Sequence, residues 1–375
     1  MNNPPVNAQP DSQPPSAGTP FDREMIQRCL QLARRALGRT SPNPLVGAAI
    51  VREGKIVGEG FHPSAGQPHA EIFALREAGE LAKGATVYIN LEPCNHHGRT
   101  PPCSEALIAA GVAKVVVGMV DPYPHVSGSG IERLRSAGIE VLVGVEEEAC
   151  RQLNEAFIHR VLYQRPFGIL KYAMTLDGKI AATTGHSAWV TGQEARHYVH
   201  QLRAACDAVI VGGNTVRRDN PHLTTHQVAT HNPLRVAISR SLDFPLDCHL
   251  WDTDVAPTLV FTEKGSNRQV QQQLLKKGVE VVELTPLTPM QVMKHLYKQE
   301  LSSVLWECGG ILAAQAIAAG AVQKVIAFIA PKIIGGQTAP SPVGDLGLEK
   351  MSEALKLERV KLRSVASDFL IEGYL

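Results

Sequence analysis

The sequence predicts an α/β protein with two different domains, and three observations lead to this expectation. The chain has 375 residues, and a single domain commonly spans about 100 to 200 residues, so two domains are expected. Short apolar segments alternate with segments of helical periodicity, which is typical of strands joined by crossover helices. The two halves contain no convincing internal repeat, so we expect two unlike α/β domains.

The domain limits follow from composition and from one Arg-Pro step. Residues 1–20 contain six prolines among Asn, Gln and Ser, and such a segment cannot bury enough apolar surface to fold. We therefore expect a disordered tail over residues 1–20. A helix predicted over residues 146–165 leads to Arg165-Pro166, which places the first domain at residues 21–165 and the second at residues 166–375.

Elements of the first domain are predicted in order from apolar periodicity. A helix starts at Asp22 and is stopped by Gly38, and two apolar runs around Arg52-Glu53-Gly54 indicate a hairpin. Strands and helices then alternate. The predicted strands are Leu45–Val51, Lys55–Phe61, Thr86–Asn90, Lys114–Met119 and Glu140–Gly144, and the predicted helices are His69–Glu80, Ser104–Ala110 and Gly130–Ala137.

The second domain shows the same alternation with a longer series of strands, which favours one large sheet. The predicted strands are Gly168–Ala173, Asp207–Gly212, Leu234–Ser239, Thr258–Phe261, Val279–Leu284, Ser303–Glu307 and Lys324–Ile329. The predicted helices are Gly192–Ala205, Asn267–Lys277, Pro289–Gln299 and Gly310–Ala319.

Composition excludes several classes of protein. The net charge is +1 without a dense basic block, which argues against a nucleic-acid partner. Seven cysteines at irregular spacing indicate a reducing compartment rather than a disulfide framework. No apolar run reaches the roughly 18 residues of a membrane span, and no secretory signal is visible. We therefore expect a cytoplasmic protein without a membrane partner.

A hydrolytic metal site is predicted in the first domain. His69 precedes Glu71 by two residues at the start of a predicted helix, Cys94 follows a strand, and Cys103 opens the next helix. One imidazole and two thiolates would hold Zn²⁺ and leave the fourth tetrahedral position open for water. Glu71 would be the catalytic acid and base of a zinc deaminase.

Two alternatives remain open from the residues alone. Cys94 and Cys103 could be small buried apolar groups, and their eight-residue separation departs from the two residues of the general deaminase signature. His62, His96 and His97 also compete as ligands, although only His69 has a glutamate two residues further on.

Three strings of the first half carry a family resemblance. They are Ser41-Pro-Asn-Pro-Leu-Val-Gly47, Gly66-Gln-Pro-His-Ala-Glu71 and Glu92-Pro-Cys-Asn-His-His-Gly-Arg-Thr-Pro-Pro-Cys103. These strings resemble the riboflavin-specific deaminase family, which has the same eight-residue separation between its cysteines. The resemblance implies a cytidine-deaminase-like domain that acts on 2,5-diamino-6-ribosylamino-4(3H)-pyrimidinone 5′-phosphate, with Asn43 in contact with the pyrimidine. The family usually has Asp-Pro-Asn-Pro where this chain has Asp121-Pro-Tyr-Pro124, so the contact of that asparagine is not carried over to Tyr123.

Glycines at two predicted strand–helix junctions indicate a ligand site in the second domain. These junctions are Gly212-Gly213 and Gly309-Gly310. Such glycines allow a ligand to approach the backbone closely, and the helix start attracts a phosphate. They are equally compatible with simple tight turns.

The segment Gly128-Ser-Gly130 of the first domain lacks the third glycine of a dinucleotide fingerprint, because Arg133 stands there.

Three strings of the second half also carry a family resemblance. They are Leu170-Lys-Tyr-Ala-Met-Thr-Leu-Asp-Gly-Lys-Ile-Ala181, Ser187-Ala-Trp-Val-Thr191 and Thr215-Val-Arg-Arg-Asp-Asn-Pro-His-Leu-Thr224. These strings resemble the riboflavin-pathway reductase, whose fold is similar to that of dihydrofolate reductase. The resemblance implies NADPH as hydride donor and reduction of the ribosyl group to ribityl. It places Ala173, Trp189, Thr215, Asp219, Gly309 and Gly310 at the cofactor, and Lys171, Ser187, Arg203, Leu223 and Glu307 at the substrate.

Two features of this half remain open. The family commonly has an arginine shortly after the Leu-Thr pair, where this chain has Thr225-His226, so a phosphate contact there is not carried over. Lys171 and Asp177 are the candidate proton donors.

The sequence thus predicts a bifunctional enzyme, expected to be a homo-oligomer, that acts on small phosphorylated pyrimidines. Competing interpretations are a deaminase of another pyrimidine or nucleic-acid base with a non-catalytic second domain, and a zinc-stabilised binding protein without activity.

Overall fold

A computed structural model describes residues 18–96, 101–123 and 126–375. The chain divides into two compact units, one that ends at Leu162 and one that runs from Tyr163 to Leu375. The predicted boundary at residue 165 is close to this division. No helix of the described residues is long and apolar enough to cross a membrane.

The first unit is a five-stranded sheet with helices packed against it. The sheet order is β2-β1-β3-β4-β5; β1 pairs antiparallel with β2 and β3, and β3, β4 and β5 run parallel. Its elements are α1 (Pro20–Arg34), β1 (Gly47–Arg52), β2 (Lys55–Phe61), α2 (Ala70–Ala78), β3 (Thr86–Leu91), α3 (Cys103–Ala109), β4 (Lys114–Met119), α4 (Ser129–Ser136), β5 (Glu140–Val143), α5 (Glu147–Leu153) and α6 (Glu155–Tyr163).

Helix α1 begins within the segment predicted as a disordered tail. Thr19 and Asp22 form a capping box and Pro20 occupies the first turn, an arrangement that satisfies amide groups otherwise left unpaired at a helix start. The prediction is therefore wrong for Gly18–Pro20, and the remainder of the predicted tail lies outside the described residues.

The single helix predicted over residues 146–165 is instead two helices, α5 and α6, which meet at Asn154. The Asn154 side chain is buried, and it accepts a hydrogen bond from Leu45 N at 2.8 Å and donates one to Leu45 O at 3.0 Å. The Asn154 amide thus pairs with the backbone of Leu45 as a neighbouring strand would, at the residue where α5 and α6 meet.

The second unit is built on a nine-stranded sheet of order β10-β9-β8-β7-β11-β6-β12-β14-β13. The strands run parallel from β10 to β12, and β14 pairs antiparallel with β12 and β13. Its elements are β6 (Phe167–Thr175), α7 (Gln193–Ala205), β7 (Ala208–Gly212), α8 (Gly213–Asp219), β8 (Leu234–Ile238), β9 (Thr258–Glu263), α9 (Arg268–Lys276), β10 (Glu280–Leu284), α10 (Pro289–Lys298), β11 (Ser303–Trp306), α11 (Gly310–Ala318), β12 (Lys324–Ala330), β13 (Glu358–Val365) and β14 (Asp368–Tyr374).

Three of these elements were not predicted, namely α8, β13 and β14. The parallel strand β7 ends at Gly212 of the first glycine junction, and β11 ends at Trp306, shortly before the second junction at Gly309-Gly310. Ligands of open α/β sheets bind at the carboxyl ends of the strands. The topology therefore predicts a ligand site at the edge of the sheet where the sequence also predicts one.

Candidate active sites

The first unit brings three metal-binding side chains together at strand and helix ends. His69 is the residue before α2, Cys94 follows β3, and Cys103 begins α3. His69 Nδ1 lies 3.2 Å from Cys103 Sγ and 3.5 Å from Cys94 Sγ. All three ligand atoms lie within 4.8 Å of one another, and no other such group of three occurs among the described residues.

This geometry fits a zinc ion. Tetrahedral bonds of about 2.0–2.1 Å to nitrogen and about 2.3 Å to sulfur separate neighbouring ligand atoms by roughly 3.5 Å. Hydrogen bonds from Cys103 and His69 hold the pKa of the Cys94 thiol well below its usual range, and zinc binds the thiolate form. Three ligands leave one coordination position open, as in catalytic rather than structural zinc sites.

Glu71 lies in the first turn of α2, beside these ligands and only 3% exposed. Burial, together with the negative charge of Cys94, raises its pKa to about 7. A carboxyl group with a pKa near neutrality both accepts and releases a proton readily at working pH. The position of Glu71 therefore suits proton transfer.

His62 forms a hydrogen bond with Asn43 and is not one of the three grouped metal-binding residues. Its Nδ1 donates to Pro68 O at 3.1 Å, and its Nε2 accepts from the Asn43 side-chain amide at 3.0 Å. Burial lowers the pKa of His62, which favours the neutral ring that this pairing requires. Of the other competing histidines, His96 is outside the ligand group and His97 lies outside the described residues.

Glu92 is a buried carboxylate that the sequence did not single out. It accepts hydrogen bonds from the backbone of Gly130 at 2.9 Å, Gly128 at 3.0 Å and Asp121 at 3.1 Å. A Cβ at Gly130 would lie 2.0 Å from Pro93 O, so only glycine fits there. The backbone of Gly128-Ser-Gly130 thus binds the Glu92 carboxylate. This is a different role from that of a dinucleotide-binding loop. Tyr123, on the same loop, is 46% exposed.

In the second unit a buried ion triad joins three of the residues predicted to face substrate. Glu307 accepts two hydrogen bonds from Arg203, at 2.6 and 3.1 Å, and lies 3.0 Å from Lys171 Nζ. Burial opposes ionisation of Glu307, but Arg203 and Lys171 outweigh it and hold the pKa of Glu307 well below its usual range. The triad therefore carries one negative and two positive charges.

A cleft of about 700 Å³ opens at the carboxyl ends of β7, β8 and β11. Four residues predicted at the cofactor line it: Thr215, Asp219, Gly309 and Gly310. Ser187, predicted at the substrate, also lines this cleft, where its hydroxyl donates to Asp219 at 3.3 Å. Polar lining that the sequence did not indicate includes Arg217, Arg218, Ser239, Arg240, Ser241 and Asp243.

The remaining residues predicted at the cofactor or substrate lie outside this lining. Trp189 is 68% exposed, with φ +63° and the Arg196 guanidinium 4.3 Å from its ring centre. Lys332 Nζ donates to Trp189 O at 2.8 Å and fixes the loop. Ala173 lies on β6, and Leu223 is buried with φ +53°.

The Asp177 carboxylate takes part in the hydrogen bonds of a turn. It accepts from the Thr175 hydroxyl at 2.6 Å and from Gly335 N at 2.7 Å. Those hydrogen bonds lower the pKa of Asp177. A lowered pKa favours the ionised carboxylate, which makes Asp177 a poor proton donor. Of the two candidates, only Lys171 belongs to the ion triad.

Comparison with known proteins identifies a family for each of the two units. A family model described as the cytidine and deoxycytidylate deaminase zinc-binding region matches residues 19–119, and one described as the RibD C-terminal domain matches residues 166–371. The chain is 64% identical over 354 residues to the riboflavin biosynthesis protein RibD of Synechocystis, covering 94% of this chain and 96% of that protein. It is 44% identical to RibD of Aquifex aeolicus, covering 94% and 98%.

A solved structure is similar to nearly the whole of this chain. The diaminohydroxyphosphoribosylaminopyrimidine deaminase/5-amino-6-(5-phosphoribosylamino)uracil reductase of Thermotoga maritima superposes with a TM-score of 0.85 at 37% identity. The match covers 94% of this chain and 98% of that one.

Proposed function

The chain belongs to the RibD family, bifunctional enzymes of riboflavin biosynthesis that use Zn²⁺ and NADPH, and on that premise we propose which residues perform each reaction. Its first domain is cytidine-deaminase-like and its second is a reductase domain of dihydrofolate-reductase-like fold. The enzyme deaminates 2,5-diamino-6-ribosylamino-4(3H)-pyrimidinone 5′-phosphate and then reduces the ribosyl group to ribityl.

We propose that His69, Cys94 and Cys103 hold the zinc ion, and that Glu71 is the proton carrier of the deaminase. When bound, zinc lowers the pKa of water to about 7, so that hydroxide is available near neutral pH. Glu71 takes a proton from the attacking water and passes it to a ring nitrogen; it then takes the second proton, from the hydroxyl group formed at the ring carbon, and passes it to the amine, which leaves as ammonia. The observation that supports this role is a buried carboxyl beside the ligands, with its pKa at about 7.

Asn43 is proposed to orient the pyrimidine ring. Its amide nitrogen donates to His62 Nε2, which fixes the rotation of the amide and leaves its oxygen as the acceptor that a ring N–H group requires. Glu92 positions the loop around Asp121 through backbone hydrogen bonds and is a positioning residue.

In the second domain, the cleft between the two glycine junctions is proposed to bind NADPH, with Thr215, Asp219, Gly309 and Gly310 in its wall. NADPH supplies the hydride for the anomeric carbon. The Lys171 ammonium group, held by Glu307 at 3.0 Å, is proposed to donate the proton to the ring oxygen of the sugar as the ring opens. Arg203 fixes the other side of Glu307.

Ala173, Trp189, Ser187 and Leu223 keep their proposed roles as contacts to cofactor or substrate. Ser187 already lies in the cleft. The exposed Trp189 ring offers an apolar surface at the end of a loop fixed by Lys332.

The coupled reaction tests this assignment. We expect NADPH consumption when the diamino ribotide is supplied, loss of that consumption after zinc is removed by a chelator, and full consumption by the chelated enzyme when the deaminated ribotide is supplied. NADPH absorbance reports each arm. An intact deaminase that never consumes NADPH, even with the deaminated ribotide, would instead favour a non-catalytic second domain.

We also propose that the protein is a homo-oligomer. In the described part of the chain β13 is the last strand of its sheet, and its Val360 and Leu362 side chains are 54% and 68% exposed. An exposed edge strand with apolar side chains is a ready pairing surface. Sedimentation equilibrium should give a multiple of the 40.5 kDa chain, and Leu362→Lys should shift it toward the monomer; a monomeric wild type would refute the proposal.

The cytoplasm is the proposed location. The seven cysteines all lie in the described part of the chain and form no disulfide with one another. A reducing compartment preserves both thiols and the thiolate ligands of a zinc site.

A further inference from the structure

Trp189 lies on a loop that leaves the wall of the cofactor cleft. Ser187 lines the cleft, so Trp189 is only two residues beyond that wall. The Trp189 ring is 68% exposed, whereas the other two tryptophans of the chain, Trp251 and Trp306, are buried in the core of the second unit. An aromatic ring that stays exposed beside a ligand cleft offers a flat surface on which a ligand ring can pack.

The backbone of Trp189 adopts a conformation that is rare for a residue with a large side chain. Its φ is +63°, in the left-handed region, and such a conformation persists only where the surrounding structure imposes it. The Arg196 guanidinium lies 4.3 Å from the centre of the Trp189 ring, but the ring remains largely exposed. Contacts to the backbone of the loop therefore have to hold this conformation.

Lys332 makes such backbone contacts. Its Nζ donates to Trp189 O at 2.8 Å and to Val190 O at 3.0 Å, so one ammonium group holds two consecutive peptide groups. At the end of the loop, Gly192 N donates to the buried Asp368 carboxylate at 2.7 Å. The loop is thus held from two sides by residues that lie far along the chain.

The segment that carries Lys332 is itself held by the turn that follows β6. Leu176 N donates to Lys332 O at 2.8 Å. The Asp177 carboxylate accepts from Gly335 N at 2.7 Å and from Ile334 N at 3.3 Å. The Lys332 side chain therefore extends toward Trp189 from a backbone that is fixed in place.

We propose that Lys332 is a positioning residue for the cofactor of the reductase, and that it acts through Trp189. This inference rests on the proposed contact between Trp189 and NADPH. Lys332 keeps the loop in the conformation that packs against NADPH before the cofactor arrives. Binding then does not have to supply the free energy of ordering the loop.

The proposal predicts which kinetic parameter depends on Lys332. When only a fraction of the molecules has the competent loop conformation, the apparent dissociation constant of the ligand rises by the reciprocal of that fraction. The loss of two hydrogen bonds corresponds to a change of about 5- to 30-fold in such an equilibrium. The effect falls on KM for NADPH, whereas kcat at saturating NADPH is nearly unchanged because the bound cofactor restores the loop.

Lys332→Met and Trp189→Ala, made separately and together, test the proposal. Lys332→Met retains the length of the side chain but removes its donors, so it should raise KM for NADPH by about 5- to 30-fold. Its kcat and its KM for the deaminated ribotide should stay close to those of the wild type. Trp189→Ala should raise KM for NADPH at least as much. The double variant should match Trp189→Ala, because Lys332 then has no ring left to position.

Tryptophan fluorescence gives a readout that does not depend on catalysis. The part of the NADPH-induced quenching that is missing from Trp189→Phe reports on the Trp189 ring. In Lys332→Met, half of this quenching should require a higher NADPH concentration than in the wild type, by the same factor as the change in KM. Because Lys332 is exposed, the thermal unfolding midpoint of Lys332→Met should equal that of the wild type.

The control is Lys356→Met, which removes another exposed ammonium group of the second unit and should behave as the wild type. An unchanged KM for NADPH in Lys332→Met would overturn the proposal. Additive effects in the double variant would overturn it as well, because they would mean that Lys332 acts independently of Trp189. A wild-type KM for NADPH in Trp189→Ala would refute the contact between Trp189 and NADPH and, with it, the inference. A wild type that binds NADPH but does not oxidise it with the ribotide would refute the reductase function, while the quenching would still decide the role of Lys332.

Discussion

Glu71→Gln is expected to reduce the deaminase activity by about 10²–10⁴-fold, while the zinc content of the protein stays unchanged. The reason is that Glu71 lies buried beside the three ligands without being one of them. An amide of the same shape retains the packing but can neither accept nor release the proton. Ammonia release from the diamino ribotide measures the loss, and elemental analysis measures the zinc.

A reductase readout separates this effect from misfolding. NADPH consumption by Glu71→Gln should vanish with the diamino ribotide and return fully with the deaminated one. Glu80→Gln, which changes an exposed carboxylate shortly after α2, should behave as the wild type. Loss of zinc from Glu71→Gln would contradict the proton-transfer role and indicate that the carboxylate supports the ligands.

Glu307→Gln is expected to destabilise the second domain by about 3–5 kcal/mol, the cost of removing one partner from a buried ion pair. Arg203 and Lys171, with side chains 12% and 15% exposed, would then remain buried without their carboxylate. Reductase activity should fall as well, because Lys171 loses the group that positions it. Urea unfolding gives the stability and NADPH oxidation gives the activity.

The stability difference should depend on pH with a definite sign. Because the folded-state pKa of Glu307 is held below its usual range, the triad stabilises the fold fully above the ordinary glutamate value of about 4.3. That stabilisation is lost as the pH falls through the lower folded value. Glu307→Gln and wild type should therefore converge in acid, whereas the exposed control Glu280→Gln should match wild type throughout. A constant difference at all pH values would contradict an ionised Glu307.

The zinc site could be predicted from the sequence because its geometry is local. His69 and Glu71 lie on one helix turn, and both cysteines lie at strand–helix junctions, which parallel topology brings to one edge of the sheet. Glu92 escaped notice because its partners are backbone amides of Gly128 and Gly130. Hydrogen bonds to backbone amides cannot be inferred from residue types, because nearly every residue carries such an amide.

The reductase residues were harder to place for a related reason. Arg203 and Glu307 are 104 positions apart, so no spacing pattern connects them, and only the resemblance to the reductase family assigned both to the substrate. Trp189 was likewise named by the resemblance alone, and the position of its loop depends on Lys332, from a segment far along the chain.

Secondary-structure elements that depend on distant contacts were also the ones that the sequence did not predict. Helix α8 (Gly213–Asp219) was missed because it has few apolar residues, of which Val216 is fully buried. Strand β13 was missed because its residues are largely exposed and charged. It forms because β14 provides a hydrogen-bonding partner.

Arg235 limits how the segment after β8 can be transplanted or redesigned. It is fully buried, and its guanidinium donates to His249 O at 3.2 Å, Asp252 O at 2.6 Å and Ala256 O at 2.7 Å. A lysine offers its donors from a single point and could not replace this planar group. A graft of residues 249–256 onto another scaffold would therefore have to carry the arginine with it, and insertions or deletions between β8 and this segment would move the carbonyl groups away from the guanidinium.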